Sequence, residues 1–151
     1  MRTPIYFDQI SIGDTIVTAR RTITEADIAA FAGVSGDFNP LHTDDVFARE
    51  NTPYGRRIAH GVLGIAVTTG LDSDYDDWQV VAFLECNRRF VGPIFPQDTI
   101  HAVYEVTEAR ASKSKPGTNI VTLSVELRKE GGEVVQTGTD VVLVASKEEE
   151  A

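Results

Sequence analysis

Two periodicities divide the chain. From about Thr22 to Asp72, apolar residues recur at helical spacing between Gly- and Pro-containing breaks; after about Gln79 they alternate. Thr24 precedes Glu25-Ala26-Asp27 and is expected to start the first helix, its hydroxyl accepting from the Asp27 amide while the two acids face the positive helix end. Ile28, Phe31 and Ala32 share one face, and Gly33 or Gly36 is expected to end the run. A short helix is expected at about Asp45 to Glu50. The most apolar helix is predicted from about Ala59 to Leu71. It carries Val62, Leu63, Ile65, Ala66 and Val67 around most of its circumference, so it should be buried on nearly all sides.

The second half reads as strands. Ile100, Ala102, Tyr104 and Val106 alternate with Thr99, His101, Glu105 and Thr107; Val121, Leu123, Val125 and Leu127 alternate with Thr122, Ser124, Glu126 and Arg128. A period of two marks antiparallel strands with one face on a core and one in water. Gly131-Gly132 supplies a turn into a last strand, about Glu133 to Ala145, and Val80 to Val91 and Asp14 to Thr22 are further strands. The class is α+β: an antiparallel sheet with one long apolar helix against its face.

Composition narrows the function classes. With 151 residues, 42% hydrophobic and 25% charged, the chain reads as one domain over residues 1–146 followed by an acidic tail, 147–151, expected to fray. A net charge of −9 opposes nucleic acid, although a small anionic ligand needs only a local basic patch. The N-terminus lacks the apolar core of a signal peptide, and no segment approaches the roughly 20 apolar residues that span a bilayer. One cysteine, Cys86, makes no internal disulfide. A cytoplasmic protein without membrane partners is expected.

The chemistry concentrates in Val34-Ser35-Gly36-Asp37-Phe38-Asn39-Pro40-Leu41-His42. Pro40 stiffens a loop in which a carboxyl and an imidazole stand five residues apart. If the loop folds back, both can act on one water, one group holding or deprotonating it and the other delivering a proton. Against an apolar pocket, Asp37 would also be desolvated. Read alone, such a loop more often satisfies its own turn amides, and its histidine is more often solvated. Ile58-Ala59-His60-Gly61-Val62-Leu63 adds a second feature, a helix start whose glycine lets a ligand approach a free amide, or else permits close packing. His60 itself is expected to make a structural hydrogen bond, His101 to be solvated and Cys86 to pack inertly. The histidines and the cysteine have no metal-ligand spacing, so no metal site is predicted.

Together these segments resemble the MaoC-like dehydratase family, which includes the (R)-specific enoyl-CoA hydratases. The resemblance rests on Ser35-Gly36-Asp37-Phe38-Asn39-Pro40-Leu41-His42 with Phe47-Ala48, on Arg57-Ile58-Ala59-His60-Gly61-Val62-Leu63, and on Arg89 to Ile100, in matching order over essentially the whole chain. It implies a hot-dog fold, a sheet wrapped around one central helix. It also implies a homodimer or higher even oligomer with active sites near the subunit interface, and a hydro-lyase needing no cofactor beyond the coenzyme A of its substrate. The implied reaction is (R)-specific hydration of a trans-2-enoyl-CoA to a 3-hydroxyacyl-CoA, or the reverse dehydration. Asp37 and His42 take the catalytic positions and the Gly61 amide that of the oxyanion donor. Asn39 and Thr69 fall at substrate-binding positions, Thr69 where the family has serine. Gln97 replaces the glycine of the family's "G-D" pair, a change expected to affect only a turn. Arg56 and Arg57 are the first candidates for the coenzyme A phosphates, Lys113 and Lys115 the second. The rival readings are a hot-dog acyl-CoA thioesterase and a non-catalytic acyl-CoA-binding subunit.

Overall fold

A computed structural model describes residues 3–147. Its elements are β1 (Thr15–Val17), β2 (Arg21–Thr22), α1 (Glu25–Ser35), α2 (Pro40–Thr43), α3 (Asp45–Asn51), α4 (Gly61–Thr68), β3 (Val80–Phe90), β4 (Thr99–Ala111), β5 (Thr118–Lys129) and β6 (Val134–Ala145). The sheet runs β1-β4-β5-β6-β3, with β2 also on β4, and every pairing is antiparallel. The long strand expected from Asp14 to Thr22 is thus two short ones. Apart from Lys147, the proposed tail lies outside the described residues.

Alternation sets the core. Ile100, Ala102, Tyr104 and Val106 of β4, and Val121, Leu123, Val125 and Leu127 of β5, are all buried, as are Val135, Val142 and Val144 of β6. They close around Leu63 and Val67 of α4 and Leu71 beyond it. Each buried aliphatic side chain contributes about 1.5–3 kcal/mol relative to exposure, which is why a single apolar helix can organise the sheet.

The helix departs from expectation twice. It is eight residues long rather than thirteen, because Ala59 and His60 stay extended and the chain turns after Thr69. It is also buried on one side only: Val62 is 57% exposed, and Ala66 and Thr69, which follow it on the same face, are exposed too. The same side of the molecule carries β3, an edge strand on which Val81, Phe83, Leu84 and Phe90 are all exposed. Cys86, expected to pack inertly, is exposed on this strand as well.

Around the helix start, local chemistry behaves as read. The Thr24 hydroxyl accepts from the Asp27 amide at 3.1 Å, and the Asp27 carboxylate accepts in return from the Thr24 amide at 2.8 Å. That backbone hydrogen bond holds Asp27 below the usual carboxylate range, with Arg21 helping. Gly36 ends α1 in the left-handed conformation, φ 76°, where a side chain would be strained.

Candidate active site

The loop from Ser35 to Thr43 is stitched by its own side chains. Ser35 Oγ accepts from the Asp37 amide, Asp37 Oδ1 from the Asn39 amide at 3.1 Å, and Asn39 Oδ1 from the Leu41 amide at 2.9 Å. The last contact caps α2, a turn begun by Pro40 that the hydrophobic pattern does not announce. Asn39 thus spends one lone pair of its carbonyl oxygen on the backbone.

Two longer contacts fold this loop onto the start of α4. His42 Nδ1 lies 2.7 Å from the Ile58 carbonyl and His60 Nε2 lies 2.9 Å from the Asp37 carbonyl. A carbonyl only accepts, so His42 carries its proton on Nδ1 and His60 on Nε2. In the neutral imidazole the lone pair is therefore on Nε2, which faces Asp37 Oδ2 at 3.9 Å. The two imidazoles stack with centroids 3.8 Å apart, and Phe31 closes the far side of His60 at 5.0 Å. His60 thus has the structural hydrogen bond expected of it and, in addition, forms the floor under His42. Its Nδ1 is buried without a hydrogen-bond partner among the described residues.

Burial is uneven. The His42 side chain is 10% exposed and that of Asp37 52%, so in the single chain the loop does not desolvate the carboxylate as a seat against an apolar pocket would. Asp37, His42 and His60 bring three potential metal-ligand atoms within 4.8 Å of one another. The donor set is poor for a metal, because the Nε2 of His60 that faces the cluster is used as a donor to a carbonyl.

Gly61 directly follows His60 and is the first residue of α4, where amides have no acceptor within the helix. A Cβ added there would stand 2.7 Å from the Phe90 ring, so the missing side chain admits β3 to the helix tip. The close-packing reading of this glycine therefore holds, alongside the free amide. A cavity of about 250 Å³ touches Gly61 and is bounded by Tyr54, Ile58, Phe90, Pro93 and Gln136; neither Asp37 nor His42 lines it. Thr69, at the other end of α4, donates to the Ala66 carbonyl at 2.8 Å and lines a different cavity. Eight residues from Gly61, it lies about 12 Å along the helix axis from that glycine.

The basic candidates separate. Arg57 is held by Asp45 at 2.6 Å and Glu25 at 2.9 Å, an ion-pair triad that ties α1 to α3. The exposed Arg56 instead stacks on Phe95 at 4.2 Å and donates to the Pro96 carbonyl at 3.2 Å. Lys113 and Lys115 lie in the loop beside the Thr118–Ala145 pair, at the end of β6 opposite Gln136, which contacts Gly61. His101, expected in solvent, is half-buried, with Nδ1 unpartnered among the described residues.

A model of the MaoC like domain matches residues 8–146. The chain belongs to the MaoC-like dehydratase family. On that membership it is a hydro-lyase, an enzyme that adds or removes water. It is 37% identical over 117 residues to an (R)-specific enoyl-CoA hydratase of Aeromonas caviae, covering 78% of this chain and 83% of that one. It is 43% identical over 96 residues to Protein MaoC of Klebsiella aerogenes, where the match spans 63% of this chain and only 28% of that longer protein. Among solved structures, a monoamine oxidase regulatory protein of Archaeoglobus superposes with a TM-score of 0.87 at 36% identity, over 97% of this chain and 98% of that one. The MaoC-like members of this group share the hot-dog arrangement, a sheet around a central helix, and the described residues have it. No helix among the described residues is long and apolar enough to cross a membrane.

Proposed function

We propose that this MaoC-like protein hydrates a trans-2-enoyl-CoA to the (R)-3-hydroxyacyl-CoA, or runs the same reaction in reverse, with Asp37 and His42 as catalytic residues. The observation that carries this reading is the 3.9 Å gap between His42 Nε2 and Asp37 Oδ2. It is too long for a hydrogen bond, but one water at ordinary distance from each, about 2.8 Å, fits between them. The Ile58 carbonyl keeps the His42 lone pair turned toward that position, and His60 sets the ring plane beneath it. As the water oxygen bonds to C3, the pair takes one of its protons and returns one to C2 on the same face, giving syn addition with no net change on the protein. Negative charge developing on the thioester oxygen is met by the Gly61 amide at the positive end of α4. Arg56, exposed beside that end, is the candidate for the coenzyme A phosphates, with its guanidinium kept in place by Phe95.

The functional unit in this reading is a homodimer. β3 is an edge strand with apolar side chains exposed along it, and long apolar edges of this kind invite a further strand. A second copy pairing along β3 would cover Phe90 and the open face of α4, enclosing the Gly61 cavity and half-exposed Asp37 within one site.

The test is hydration of crotonyl-CoA by the wild type, Asp37→Ala and His42→Ala. Each variant is expected to lose activity by about 10²–10⁴-fold while keeping its thermal unfolding midpoint. Near-wild-type loss of the enoyl absorbance in either variant would end the assignment. Release of free thiol instead would make the protein a thioesterase.

A further inference from the structure

The C-terminal end of α4 carries a second group of residues that the hydration chemistry does not use. A cavity of about 280 Å³ is bounded there by Thr69, Trp78, Phe83, Tyr75, Tyr104 and Asp140, among others. Asp140 is buried and held by Arg88 through two hydrogen bonds of 2.7 Å each, so the guanidinium charge is already neutralised within the wall. The rings of Tyr75 and Tyr104 stack with centroids 5.9 Å apart, and Tyr104 is only 5% exposed. Neither phenol hydroxyl makes a hydrogen bond among the described residues, and both keep access to the solvent of the cavity. Burial, reinforced by the Asp140 charge, pushes both phenols above their ordinary range, so they stand as O–H donors at neutral pH.

A donor that a ligand buries without offering an acceptor costs about 1–3 kcal/mol. A methyl group in this cavity leaves both phenols unmatched. A carboxylate would accept from them but would face Asp140 and Asp76 with Arg88 already occupied. An uncharged hydroxyl or carbonyl accepts from the phenols without that repulsion. The apolar remainder of the wall, Trp78, Phe83 and Leu71 above all, suits the carbon chain that brings such a group in.

The cavity is also placed for this. From Gly61 to Thr69 the helix advances about 12 Å. β6 covers the same stretch from Gln136, which donates to the Gly61 carbonyl at 2.8 Å, to Asp140. The exposed face of α4 formed by Val62, Ala66 and Thr69 lies between the two ends. With C–C bonds of about 1.5 Å, an extended acyl chain of roughly ten carbons reaches from one end to the other. We infer that this cavity receives the far end of the acyl chain and selects an uncharged hydrogen-bonding terminus, a hydroxyl or a carbonyl, over a methyl or a carboxylate. The inference rests on the acyl-thioester reading of the Gly61 end.

Calorimetric binding of saturated acyl-CoAs to the full chain separates the two readings, because it needs no turnover. Decanoyl-CoA, its ω-hydroxy analogue and the matching ω-carboxylate are each titrated into the wild type, Tyr104→Phe and Tyr75→Phe. The wild type is expected to bind the ω-hydroxy ligand at least tenfold more tightly than the other two. Tyr104→Phe should bring the hydroxy-to-methyl ratio close to one, and Tyr75→Phe should lower it. Equal binding of the three ligands, binding of none, or a ratio unchanged in Tyr104→Phe overturns the inference. If the ω-hydroxy preference and its loss in Tyr104→Phe are seen while crotonyl-CoA is not hydrated, the cavity assignment stands and the hydratase reading falls. In an active enzyme, the same preference should appear in kcat/KM for the corresponding 2-enoyl-CoAs.

Discussion

β5 and β3 belong to one sheet, separated only by β6, yet they relate to solvent in opposite ways. Along β5 every second residue from Asn119 to Leu127 is buried, and the intervening ones are polar or half-buried. Nothing more is needed to account for that strand than the α4 core on one side and water on the other. β3 is nearly as long, but apolar residues at Val80, Val81, Phe83, Leu84 and Phe90 are exposed and its free edge pairs with no described strand. One half of the molecule is complete within a single chain. The other half, which includes Gly61, the open face of α4 and the Asp37–His42 loop, is not. This difference teaches that the fold and the proposed chemistry have separate requirements: the first needs one chain, the second is expected to need two.

Paired substitutions break the comparison at either end. Leu84→Asp puts a charge on the β3 surface and is expected to weaken self-association by two orders of magnitude or more, about 3 kcal/mol, with crotonyl-CoA hydration falling alongside. Its folded monomer should persist, as sedimentation and far-ultraviolet dichroism would report. Leu123→Ala, in the middle of β5, removes a fully buried side chain and should cost about 2–5 kcal/mol in urea unfolding. Activity per folded molecule should survive that change. A wild type that is monomeric and active, or a Leu84→Asp protein that remains a dimer, would remove the distinction between the two halves.

The same division runs through what the chain reveals when read residue by residue. The Thr24 cap, the Gly36 stop and the alternating faces of β4 and β5 are settled by neighbours a few positions away, so pattern alone exposes them. The length of α4 is not, because its apolar residues continue past both ends while the backbone turns out of the helix. The apolar count around α4 also overstates its burial within one chain, since it includes Val62 and Ala66 on the open face. At the site, the Asp37–His42 pair and the Gly61 helix start are legible as motifs. The contacts that join them, His42 to Ile58 and His60 to Asp37, span 16 and 23 residues and depend on how the loop returns to α4. Arg57 shows the converse, an attractive cation whose partners, Glu25 and Asp45, become visible only once α1 and α3 are packed together.

A pH measurement sharpens the self-contained side. His101 on β4 is opposite Arg128, and burial first, then Arg20 and Arg128, lowers its pKa from the ordinary 6.5. The folded state thus favours the neutral imidazole. The associated stability is fully present above about pH 6.5 and is lost as pH falls through the lowered folded value. His101→Gln should therefore lose less stability than the wild type between pH 7 and pH 5 in urea titrations. Because His101 lies outside β3, the same difference should appear in the Leu84→Asp background. A dependence present only in the associated protein would assign His101 to the interface half.

The smallest expected effect concerns the turn between β3 and β4. Gln97 has φ 74°, the left-handed region in which a Cβ crowds the carbonyl, and its amide donates to the Ile23 carbonyl at 2.7 Å. The backbone thus keeps the conformation suited to the glycine of the family's motif although this chain has glutamine there. A left-handed residue with a side chain costs about 1–2 kcal/mol, and the extra freedom of glycine in the unfolded chain takes back about 0.5–1 kcal/mol. Gln97→Gly should consequently stabilise the protein by about 0.5–1 kcal/mol, a rise of roughly 1–4 °C in Tm for a chain of this size. Gln97→Ala keeps the Cβ and should give no such gain. Since Gln97 holds β2 rather than β3, the gain should be equal in the wild-type and Leu84→Asp backgrounds; a gain confined to one would show that the two halves are energetically coupled through this turn.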